Sequence, residues 1–593
     1  MGGLAGIVGD GTAHEVAGMA ARMPHRGTAR VWSPAPHVHF AELTRDDEHA
    51  DGSDGNLAID TAGDVARRAD VECAFASEVV APQAAFRGFF AVARWNEAAR
   101  SLQLICDRHG YKSLYVARLP GRVAFASDYK ALLALADMPA TVNRDVLQTY
   151  LRSRSFGSDQ CLLEGVIPIR GPYTWTVDRK HQLARERYWM PVGRDTGIRT
   201  FTEAARHLRS LLQAVVRRQL EGRDRIALAL SGGLDSVALL ALVRNVRPDM
   251  RVTTYTVGYG ELDPDILGAR EGASVFGTDH HECFLEPERI PEELRRLVSY
   301  TEDLTGREEA VLFQVLVEQM ASRERAYLIG QGADAAFAGM PRHRLMWLRD
   351  HAPPPLRGAL GELFSYTQQR QEPASWLGRR LADMAFHGDR PTMPSVTGAQ
   401  GHAAHLRYRS LGDYRRATLP ASDSMRFHEP METAGGIQMI APFLDPAVLD
   451  FSIGCPTAFM IDARRQKRIL RAAMAGLMPP SMAGRRKGIQ RLRHDSRLSD
   501  VLDDFAGQLR LRVSLSERQL VPAEYIASLQ SRRRNASYSS ERLHILWALI
   551  CAELWLRQFI DQRGRHEAPR LATARAPMNE PAMARPSQPT PTP

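Results

Sequence analysis

The six residues Ser-Gly-Gly-Leu-Asp-Ser at 231–236 constrain the fold of this chain more than any other stretch. The apolar run 225–230 before them predicts a short buried strand, and residues 237–244 after them have a helix-forming composition. A strand, a glycine turn and a helix in this order direct backbone N–H groups and a helix N-terminus at one spot, which suits a phosphate group. Because Asp235 would repel a bare phosphate, the pattern also predicts a divalent cation between the two. A tight strand–helix turn with a serine cap is the alternative.

Length and composition describe an ordinary protein with room for two large domains. The 593 residues are 44% hydrophobic and 24% charged, with a formal net charge of +9. That charge favours acidic ligands such as a nucleotide or an anionic peptide, but no basic stripe with interleaved aromatic residues predicts nucleic-acid binding. The six cysteines form no CxxC pair, and we find neither a signal-peptide pattern nor an apolar run that approaches membrane-spanning length. We therefore expect a cytoplasmic protein with no membrane or nucleic-acid partner.

Several further motifs resemble those of one superfamily, and they follow one another in that superfamily's order. Gly-Thr-Asp-His-His-Glu occupies 277–282, a glycine-rich loop occupies 330–339, Pro-Phe-Leu-Asp occupies 442–445, a K-x-x-L-R pattern begins at Lys467, and Arg-Arg-Lys-Gly-Ile, which is similar to that superfamily's R-x-K-x-G, occupies 485–489. SGGLDS itself is similar to the pyrophosphatase-type ATP loop of enzymes that cleave ATP between its α- and β-phosphates. Together the motifs resemble the asparagine synthetase superfamily, which includes β-lactam synthetases and lasso peptide cyclases. The resemblance covers residues 1 to about 560.

The resemblance implies a mixed α/β and α+β protein with two domains and a tail. Residues 1–190, where short apolar strands recur, resemble a degenerate glutamine amidotransferase domain, which is an Ntn-type β-sandwich. Residues 200–562 resemble an ATP-binding ligase domain with a doubly wound parallel sheet. Residues 563–593 are rich in Pro and Ala and lack apolar periodicity, so we expect that tail to be disordered.

The same resemblance implies an ATP site that holds Mg²⁺. A strand at 326–329 leads into the loop 330–339, and ligands of doubly wound sheets lie at the carboxyl ends of strands, so Asp334 is expected beside Asp235. Two such carboxylates suit a Mg²⁺ ion that bridges the phosphates of ATP, whereas a helix N-cap is the alternative role for Asp334. The residues that the resemblance implies as ATP contacts are Leu230, Ser231, Gly232, Gly233, Asp235, Ser236, Val257, Gly330 and Gln331.

Three further residues are candidates for catalysis. Lys487 matches a family lysine that reaches the α-phosphate and pyrophosphate, where an ammonium would stabilise the negative charge that builds on oxygen; a solvated basic turn is the alternative. Glu429 and Glu432 lie where β-lactam synthetases carry an acid of their base dyad, and each is alternatively a surface carboxylate. Lys467 is expected to be structural. The base that deprotonates the amine stays open among Glu429, Glu432, His25 and the substrate itself.

The sequence departs from the glutamine-hydrolysing members at the positions that handle nitrogen. In that family the mature chain begins with a cysteine nucleophile, but Gly2 stands here, and the Asn-Gly-Glu motif that grips glutamine is absent near 58–64. Gln331 replaces a glutamate used for proton handling, and an amide cannot take a proton at neutral pH. Gln438 and Ile440 replace a Glu and an Arg before Pro-Phe-Leu-Asp. We therefore expect no glutamine hydrolysis and an amine other than ammonia.

These features favour a lasso peptide macrolactam synthetase. In such enzymes ATP adenylates an Asp or Glu side chain of a precursor peptide, and the peptide's own α-amine displaces AMP to close a ring. Holding the amine beside the acyl-adenylate makes the second step effectively unimolecular. The expected cofactors are ATP and Mg²⁺, and the expected partners are the precursor peptide and, where one is needed, a leader peptidase. A β-lactam-synthetase-like or asparagine-synthetase-like ligase of small molecules and a catalytically dead nucleotide-binding scaffold are the alternatives, and the sequence leaves the activated carboxylate open.

Overall fold

The computed structural model describes most of the chain between residues 2 and 563. The described ranges are 2–45, 57–62, 88–112, 114–157, 159–191, 193, 197–304, 308–369, 377, 380–381, 410–419, 425–485, 496–531 and 540–563. Of the residues singled out from the sequence, Lys487 lies outside the described residues, and so does the tail from residue 564 onward.

The N-terminal part is a sandwich of two antiparallel sheets. Its strands are β1 (Gly2–Gly9), β2 (Thr28–Ala35), β3 (Val38–Thr44), β4 (Leu57–Ala62), β5 (Phe89–Asn96), β6 (Ser101–Cys106), β7 (Leu114–Leu119), β8 (Arg122–Ala126), β9 (Val166–Ile169), β10 (Tyr173–Val177) and β11 (Leu183–Arg187). The first sheet has the order β2-β3-β1-β8-β7-β9 and the second has the order β11-β10-β6-β5-β4. Leu4 and Phe125 of the first sheet share a buried cluster with Ala91 and Leu104 of the second, because alternate residues of each strand point to the same face.

The second part is built on a five-stranded parallel sheet. Its strands are β12 (Arg225–Ala229), β13 (Arg251–Gly258), β14 (Asp279–Phe284), β15 (Ala326–Leu328) and β16 (Gln438–Ile440), in the order β14-β13-β12-β15-β16. The chain runs outward from β12 to β14 on one side and then returns to β15 and β16 on the other. The carboxyl ends of β12 and β15 therefore flank a topological switch point, which is where open α/β sheets bind ligands.

Apolar side chains cover both faces of the parallel sheet. Ile226 and Leu228 belong to one buried cluster, together with residues of the helices at 201–219 and 234–246. Ala227 and Tyr327 point the other way, into a second cluster that contains residues of the helices at 290–301 and 309–321. The expected fold class, a β-sandwich followed by a doubly wound parallel sheet, is confirmed.

Helices connect the strands and form the rest of both parts. Phe201–Gln219, which leads into β12, begins at a capping box in which the Glu203 N–H donates to Thr200 Oγ1 at 3.3 Å and the Thr200 N–H donates to Glu203 Oε2 at 3.2 Å. The other α-helices are Ala13–Ala21, Tyr129–Leu132, Arg144–Ser153, Leu234–Val246, Pro264–Phe276, Ile290–Thr301, Glu309–Ala321, Ala333–Ala336, Pro341–His351, Pro354–Gln369, Leu411–Thr418, Met425–Gly435, Pro446–Gly454, Thr457–Met460, Arg468–Ala473, Pro480–Gly484, Ser496–Gln508, Leu511–Glu517, Ala523–Ser531 and Ser540–Trp555, with 3₁₀ turns at Pro24–Arg26, Pro287–Arg289 and Pro442–Leu444.

The last helix joins the two parts of the molecule. Ser540–Trp555 continues as a π-helix over Leu556–Asp561, and the Trp555 indole N–H donates to Tyr129 Oη at 2.5 Å and to the Glu302 carbonyl at 3.1 Å. By length and composition the stretch Arg542–Asp561 could cross a membrane, so the expectation that no run approaches that length is wrong. However, 78% of its apolar window is buried inside the protein, as is typical of a core helix.

Candidate active site

The first loop, residues 231–236, follows β12 at the switch point. Gly232 has a φ angle of 63°, and a Cβ atom there would lie 2.3 Å from the backbone of Gly268, so the close approach requires glycine. Gly233 is the N-cap of Leu234–Val246, and within the described residues no side chain caps that helix. The N–H groups of its first turn, at the positive end of the helix dipole, are therefore suited to phosphate oxygens.

The second loop, residues 330–339, follows β15 and lies against the first. A Cβ atom on Gly330 would lie 2.8 Å from the Cβ of Asp235, so this glycine allows the two loops to touch. The side-chain amide of Gln466 donates to the carbonyl of Ala338 at 2.9 Å and so holds the end of the second loop. Two loops from two strands thus meet at one edge of the sheet.

Lys467 lies between the acidic residues of the two loops. Its Nζ is 2.5 Å from Asp235 Oδ2 and 2.6 Å from Asp334 Oδ1. Burial disfavours the charged ammonium, but the two carboxylates outweigh burial and raise the pKa of Lys467. The sequence predicted that Asp334 lies beside Asp235, and the geometry agrees. The sequence did not predict that Lys467 lies between these two carboxylates, and the K-x-x-L-R pattern was the signal that could have indicated it.

The backbone around Lys467 is shaped for this contact. Lys467 has a φ angle of 55°, in the left-handed region that few residues with a side chain adopt, and it caps the helix Arg468–Ala473. A Cβ atom on Gly339 would lie 2.0 Å from Lys467 Cε and 2.2 Å from Asp334 Oδ1. The absence of a side chain at Gly339 therefore gives the lysine room to reach both carboxylates.

The donor set fits a magnesium ion that is bound together with nucleotide phosphates. Mg²⁺ prefers oxygen ligands and is usually held by one or two carboxylates, with phosphate oxygens and water completing its shell. Asp235 and Asp334 supply two carboxylates from two loops, and a single positive charge already lies between them. Within the described ranges no group of three or more His, Cys, Asp or Glu side chains could hold a metal ion.

An arginine connects the first loop to the basic segment that carries Lys487. The guanidinium of Arg485 donates to the carbonyl of Gly232 at 2.9 Å and also pairs with Glu271. Arg471 donates to the carbonyl of Arg485 at 3.1 Å and so fixes its backbone. The segment therefore leaves the described residues beside the first loop, two positions before Lys487, whose catalytic role stays a prediction.

The remaining residues predicted to contact ATP lie at the same edge of the sheet. Leu230 follows β12, and its N–H donates to the carbonyl of Tyr255 at 2.8 Å. Val257 lies near the end of β13, where it pairs with Cys283 of β14, and its side chain is buried. Ser231, Ser236 and Gln331 belong to the two loops. The structure brings the whole predicted set together, and its contact with ATP stays a prediction.

Glu429 lies in a buried ion-pair cluster between the two parts of the molecule. Arg26 donates to both of its carboxylate oxygens, at 2.8 and 3.0 Å, and Lys112 Nζ lies 2.9 Å from Oε1. Thr433 Oγ1 also donates to Oε1, at 2.8 Å. Burial favours the protonated form of Glu429, but Arg26 and Lys112 outweigh burial and lower its pKa from 4.5 to about 2. Such an acid is a poor proton acceptor, so the geometry favours a structural role over the predicted base.

Glu432 lies one turn further along the same helix and is also fully engaged. The hydroxyl groups of Tyr111 and Tyr327 both donate to its carboxylate, and His428 Nδ1 lies 3.5 Å away. Burial and the charge of Glu432 raise the pKa of Tyr111 well above its usual range, which keeps that hydroxyl a donor. Neither glutamate is an exposed surface carboxylate, so that alternative is wrong for both.

His25, the other candidate base, is buried in the same region. Its Nε2 lies 3.1 Å from Asp128 Oδ2. Burial and the charge of Lys130 lower the pKa of His25 to about 4, so the imidazole is neutral near pH 7. The described candidates for catalysis, His25, Glu429 and Glu432, thus all lie in this buried region, whereas Lys487 lies outside the described residues.

Known proteins resemble the chain over most of its length. An asparagine synthetase homologue of Mycobacterium tuberculosis (strain H37Rv) is 24% identical over 515 residues, which cover 80% of this chain and 77% of that protein. The glutamine-hydrolysing asparagine synthetase 3 of Bacillus subtilis is 25% identical over 68% of this chain and 66% of its own length. The amidase chry2 of Gibberella zeae is 26% identical over 57% of this chain and 51% of its own length.

The two parts of the molecule match two different family models. The glutamine phosphoribosylpyrophosphate amidotransferase of B. subtilis aligns with 49% of this chain at 9% identity and a TM-score of 0.25, which is too low to support an argument. The glutamine amidotransferase domain model matches residues 74–189, which include β5 to β11 of the sandwich, and this identifies the sandwich as the Ntn-type domain. The asparagine synthase model matches residues 207–557, more than half of the chain. The chain therefore belongs to the asparagine synthase family.

Proposed function

We propose that this protein is an ATP-dependent amide ligase that takes its amine from a peptide substrate and not from glutamine. The activated group would be an Asp or Glu side chain of a precursor peptide, and the amine would be the N-terminus of the same peptide, as in lasso peptide cyclases. The observation that carries the proposal is the environment of Gly2, the position at which the resemblance to glutamine-hydrolysing synthetases implies a cysteine nucleophile.

The backbone of Gly2 is hydrogen-bonded on both sides inside the sandwich. Its N–H donates to Asp60 Oδ1 at 3.0 Å, and its carbonyl accepts from Arg26 at 2.8 Å. A Cβ atom at this position would lie 1.9 Å from the carbonyl oxygen of Leu43, so a side chain requires the strand to shift. Because nucleophilic catalysis needs both an activated group and space for the substrate, this arrangement supports the loss of glutamine hydrolysis.

Charged side chains fill the space beside Gly2. Lys112 Nζ lies 3.0 Å from Asp60 Oδ2 and 2.9 Å from Glu429 Oε1. Asp60 stands in the segment where the resemblance places the glutamine-binding Asn-Gly-Glu motif, and here it holds a lysine and the Gly2 N–H. These contacts occupy polar groups that a bound glutamine would need, which also supports an amine from another source.

The proposed reaction has two steps at the edge of the parallel sheet. First, a carboxylate oxygen of the substrate attacks the α-phosphorus of ATP, and the bond to the β-phosphate breaks to release pyrophosphate. The amine then attacks the acyl carbon and loses a proton, and AMP leaves with the electrons of the broken C–O bond. The N–H groups at the start of Leu234–Val246 would orient the phosphates, and Asp235 and Asp334 would hold Mg²⁺, which screens the phosphate charge.

A small-molecule ligase that resembles an asparagine synthetase is the second candidate. The relatives that match most of this chain are asparagine synthetases, and this candidate would use the same adenylation step. It differs in its acceptor, which would be ammonia or another small amine. The two candidates therefore predict the same release of AMP and pyrophosphate but different products.

Mass spectrometry with Mg-ATP and two substrate sets tests the proposal. One set contains aspartate with ammonia or glutamine, and the other contains a candidate precursor peptide that begins with Gly, with a leader peptidase where needed. We expect AMP, pyrophosphate and a peptide lighter by one water, and no glutamate from glutamine. Asparagine would support the second candidate, glutamate from glutamine would contradict the interpretation of Gly2, and the absence of AMP with every substrate would favour a nucleotide-binding scaffold.

A further inference from the structure

We propose that Lys467 is an internal counter-ion that occupies the metal position of the nucleotide-free protein and has to leave it when metal-bound nucleotide enters. The inference rests on the proposed magnesium site but not on the identity of the acceptor amine. It concerns the order in which the ligands bind, and it is tested without any acceptor.

Lys467 and a bound metal ion would use the same two carboxylate oxygens. Lys467 Nζ lies 2.5 Å from Asp235 Oδ2 and 2.6 Å from Asp334 Oδ1, so one ammonium is shared between two loops. A Mg²⁺ ion would sit about 2.0–2.1 Å from the same two oxygens. An ammonium and a divalent ion cannot occupy that position together, because they overlap in space and repel each other.

The fold holds Lys467 between the two carboxylates. Lys467 adopts the left-handed backbone conformation, and Gly339 leaves the room through which its stem passes. The residue before it, Gln466, donates to the carbonyls of Ala338 and Met340 at 2.9 and 2.8 Å. The backbone of Lys467 is therefore tied to the second loop, so its ammonium stays within reach of the site after it leaves the carboxylates.

Another cation can replace the Lys467 ammonium at the two carboxylates. The side chains of Asp235 and Asp334 are 21% and 23% exposed, so solvent and ligands reach the carboxylates. Without a cation between them, the carboxylates of Asp235 and Asp334 would repel each other and push the two loops apart. Lys467 offsets that repulsion before metal and nucleotide bind, and a metal ion that arrives with the phosphates replaces it.

A binding order follows from this arrangement. A free divalent ion gains two carboxylates but has to displace an ammonium, which lowers its affinity in the absence of nucleotide. A metal ion that enters with nucleotide brings phosphate oxygens, and these give the displaced ammonium a new anionic partner. Metal and nucleotide binding are therefore coupled, and each raises the affinity of the other.

Titration with Mn²⁺ in the absence of nucleotide, followed by the electron paramagnetic resonance signal of the free ion, tests the proposal. Lys467→Met keeps the length of the stem and removes the charge, and we expect it to bind Mn²⁺ at least about tenfold more tightly than the wild type. Arg468→Met is the matched control, since it removes one positive charge from the neighbouring residue, which pairs with Asp462. We expect the control to bind Mn²⁺ like the wild type.

Two further measurements keep the test decisive. If Lys467→Met is too unstable to titrate, Mn²⁺ alone should raise its melting temperature but leave that of the wild type unchanged, since a ligand stabilises the state that it binds. Wild-type protein that binds Mn²⁺ as tightly without nucleotide as with α,β-methylene-ATP overturns the proposal. So does a Lys467→Met variant whose Mn²⁺ affinity equals that of Arg468→Met. Neither result depends on which product the enzyme makes.

Discussion

Lys112 and Lys467 each lie between two acidic side chains, and the two sites differ in their access to solvent. In the sandwich, Lys112 lies between Asp60 and Glu429, at 3.0 and 2.9 Å. At the edge of the parallel sheet, Lys467 lies between Asp235 and Asp334, at 2.5 and 2.6 Å. The first triad consists of side chains that are 1–3% exposed, whereas the carboxylates of the second are 21% and 23% exposed.

The comparison teaches that burial decides what a lysine between two acids can do. In the buried triad, Glu429 also pairs with Arg26. Because no water reaches these charges, the loss of one partner would leave an uncompensated charge in the interior. The partly open triad loses little if one cation replaces another. The first is therefore suited to fixing the two domains together, and the second is suited to ligand exchange.

The largest expected effect is on the open triad. Asp235→Asn keeps the shape of the side chain but removes a carboxylate that would hold the proposed Mg²⁺, and we expect pyrophosphate release to fall by on the order of 10²–10³-fold, as when one group that stabilises transition-state charge is lost. The melting temperature should change little, because the side chain is partly exposed. Coupled-enzyme detection of pyrophosphate measures the rate.

Asp249→Asn is the control for this variant. Asp249 pairs with Arg247 on the surface, with its side chain 69% exposed, and the exchange makes the same chemical change away from the site. We expect full activity from it. If Asp235→Asn released pyrophosphate as fast as this control, the ATP site would not depend on that carboxylate.

The next effect is on the stability of the buried triad. Glu429→Gln removes the charge that Arg26 and Lys112 share, and breaking a buried pair in this way typically costs about 3–5 kcal/mol. Denaturant-induced unfolding measures the loss. We expect the folded variant to retain adenylation, because the contacts of Glu429 lie between the domains.

Glu288→Gln makes the same chemical change in an exposed pair. Glu288 pairs with Arg497 and its side chain is 52% exposed, so we expect no measurable change in unfolding. Loss of adenylation in Glu429→Gln with unchanged stability would reverse our interpretation and restore Glu429 as a catalytic acid or base.

A smaller effect is expected in the pH dependence of stability. Arg26 and Lys112 outweigh burial and lower the pKa of Glu429 from 4.5 to about 2. A carboxylate whose pKa is lowered by folding contributes stability that is present above its unfolded pKa and is lost as the pH falls toward the folded value. The melting temperature of the wild type should therefore fall more steeply between pH 4.5 and about 2 than that of Glu429→Gln. Equal slopes would contradict the ion-pair cluster.

The difference between the regions also shows what the sequence can predict. The ATP loops were predictable because each is a contiguous motif after an apolar strand, and because the carboxyl ends of parallel strands meet at one edge. That rule brought Asp334 to Asp235 without any structural information. The two-domain fold was predicted from the resemblance to the asparagine synthetase superfamily, whose motifs follow one another in order along the chain.

The lysines and their partners could not be predicted in this way. Glu429 contacts Arg26 across 403 positions of the chain and Lys112 across 317, and Lys467 contacts Asp235 across 232. No periodicity connects residues so far apart, and a local pattern does not record whether water reaches a side chain. The surface alternative was therefore wrong for Glu429 and Glu432, which are both buried, and a catalytic role for either stays a prediction.

The smallest expected effect is on glutamine hydrolysis, which we expect to stay absent when the buried region beside Gly2 is changed. Gly2→Cys, made so that the initiator methionine is removed, restores the residue type that glutamine hydrolysis requires. We nevertheless expect no glutamate from glutamine, because a Cβ atom at position 2 would lie 1.9 Å from the Leu43 carbonyl oxygen and Asp60 already holds the Gly2 N–H. A glutaminase assay checks this, and the variant should also unfold more easily than the wild type. Glutamate release by the cysteine variant would mean that the buried triad leaves room for glutamine, and the contrast between a closed and an exchangeable site would no longer hold.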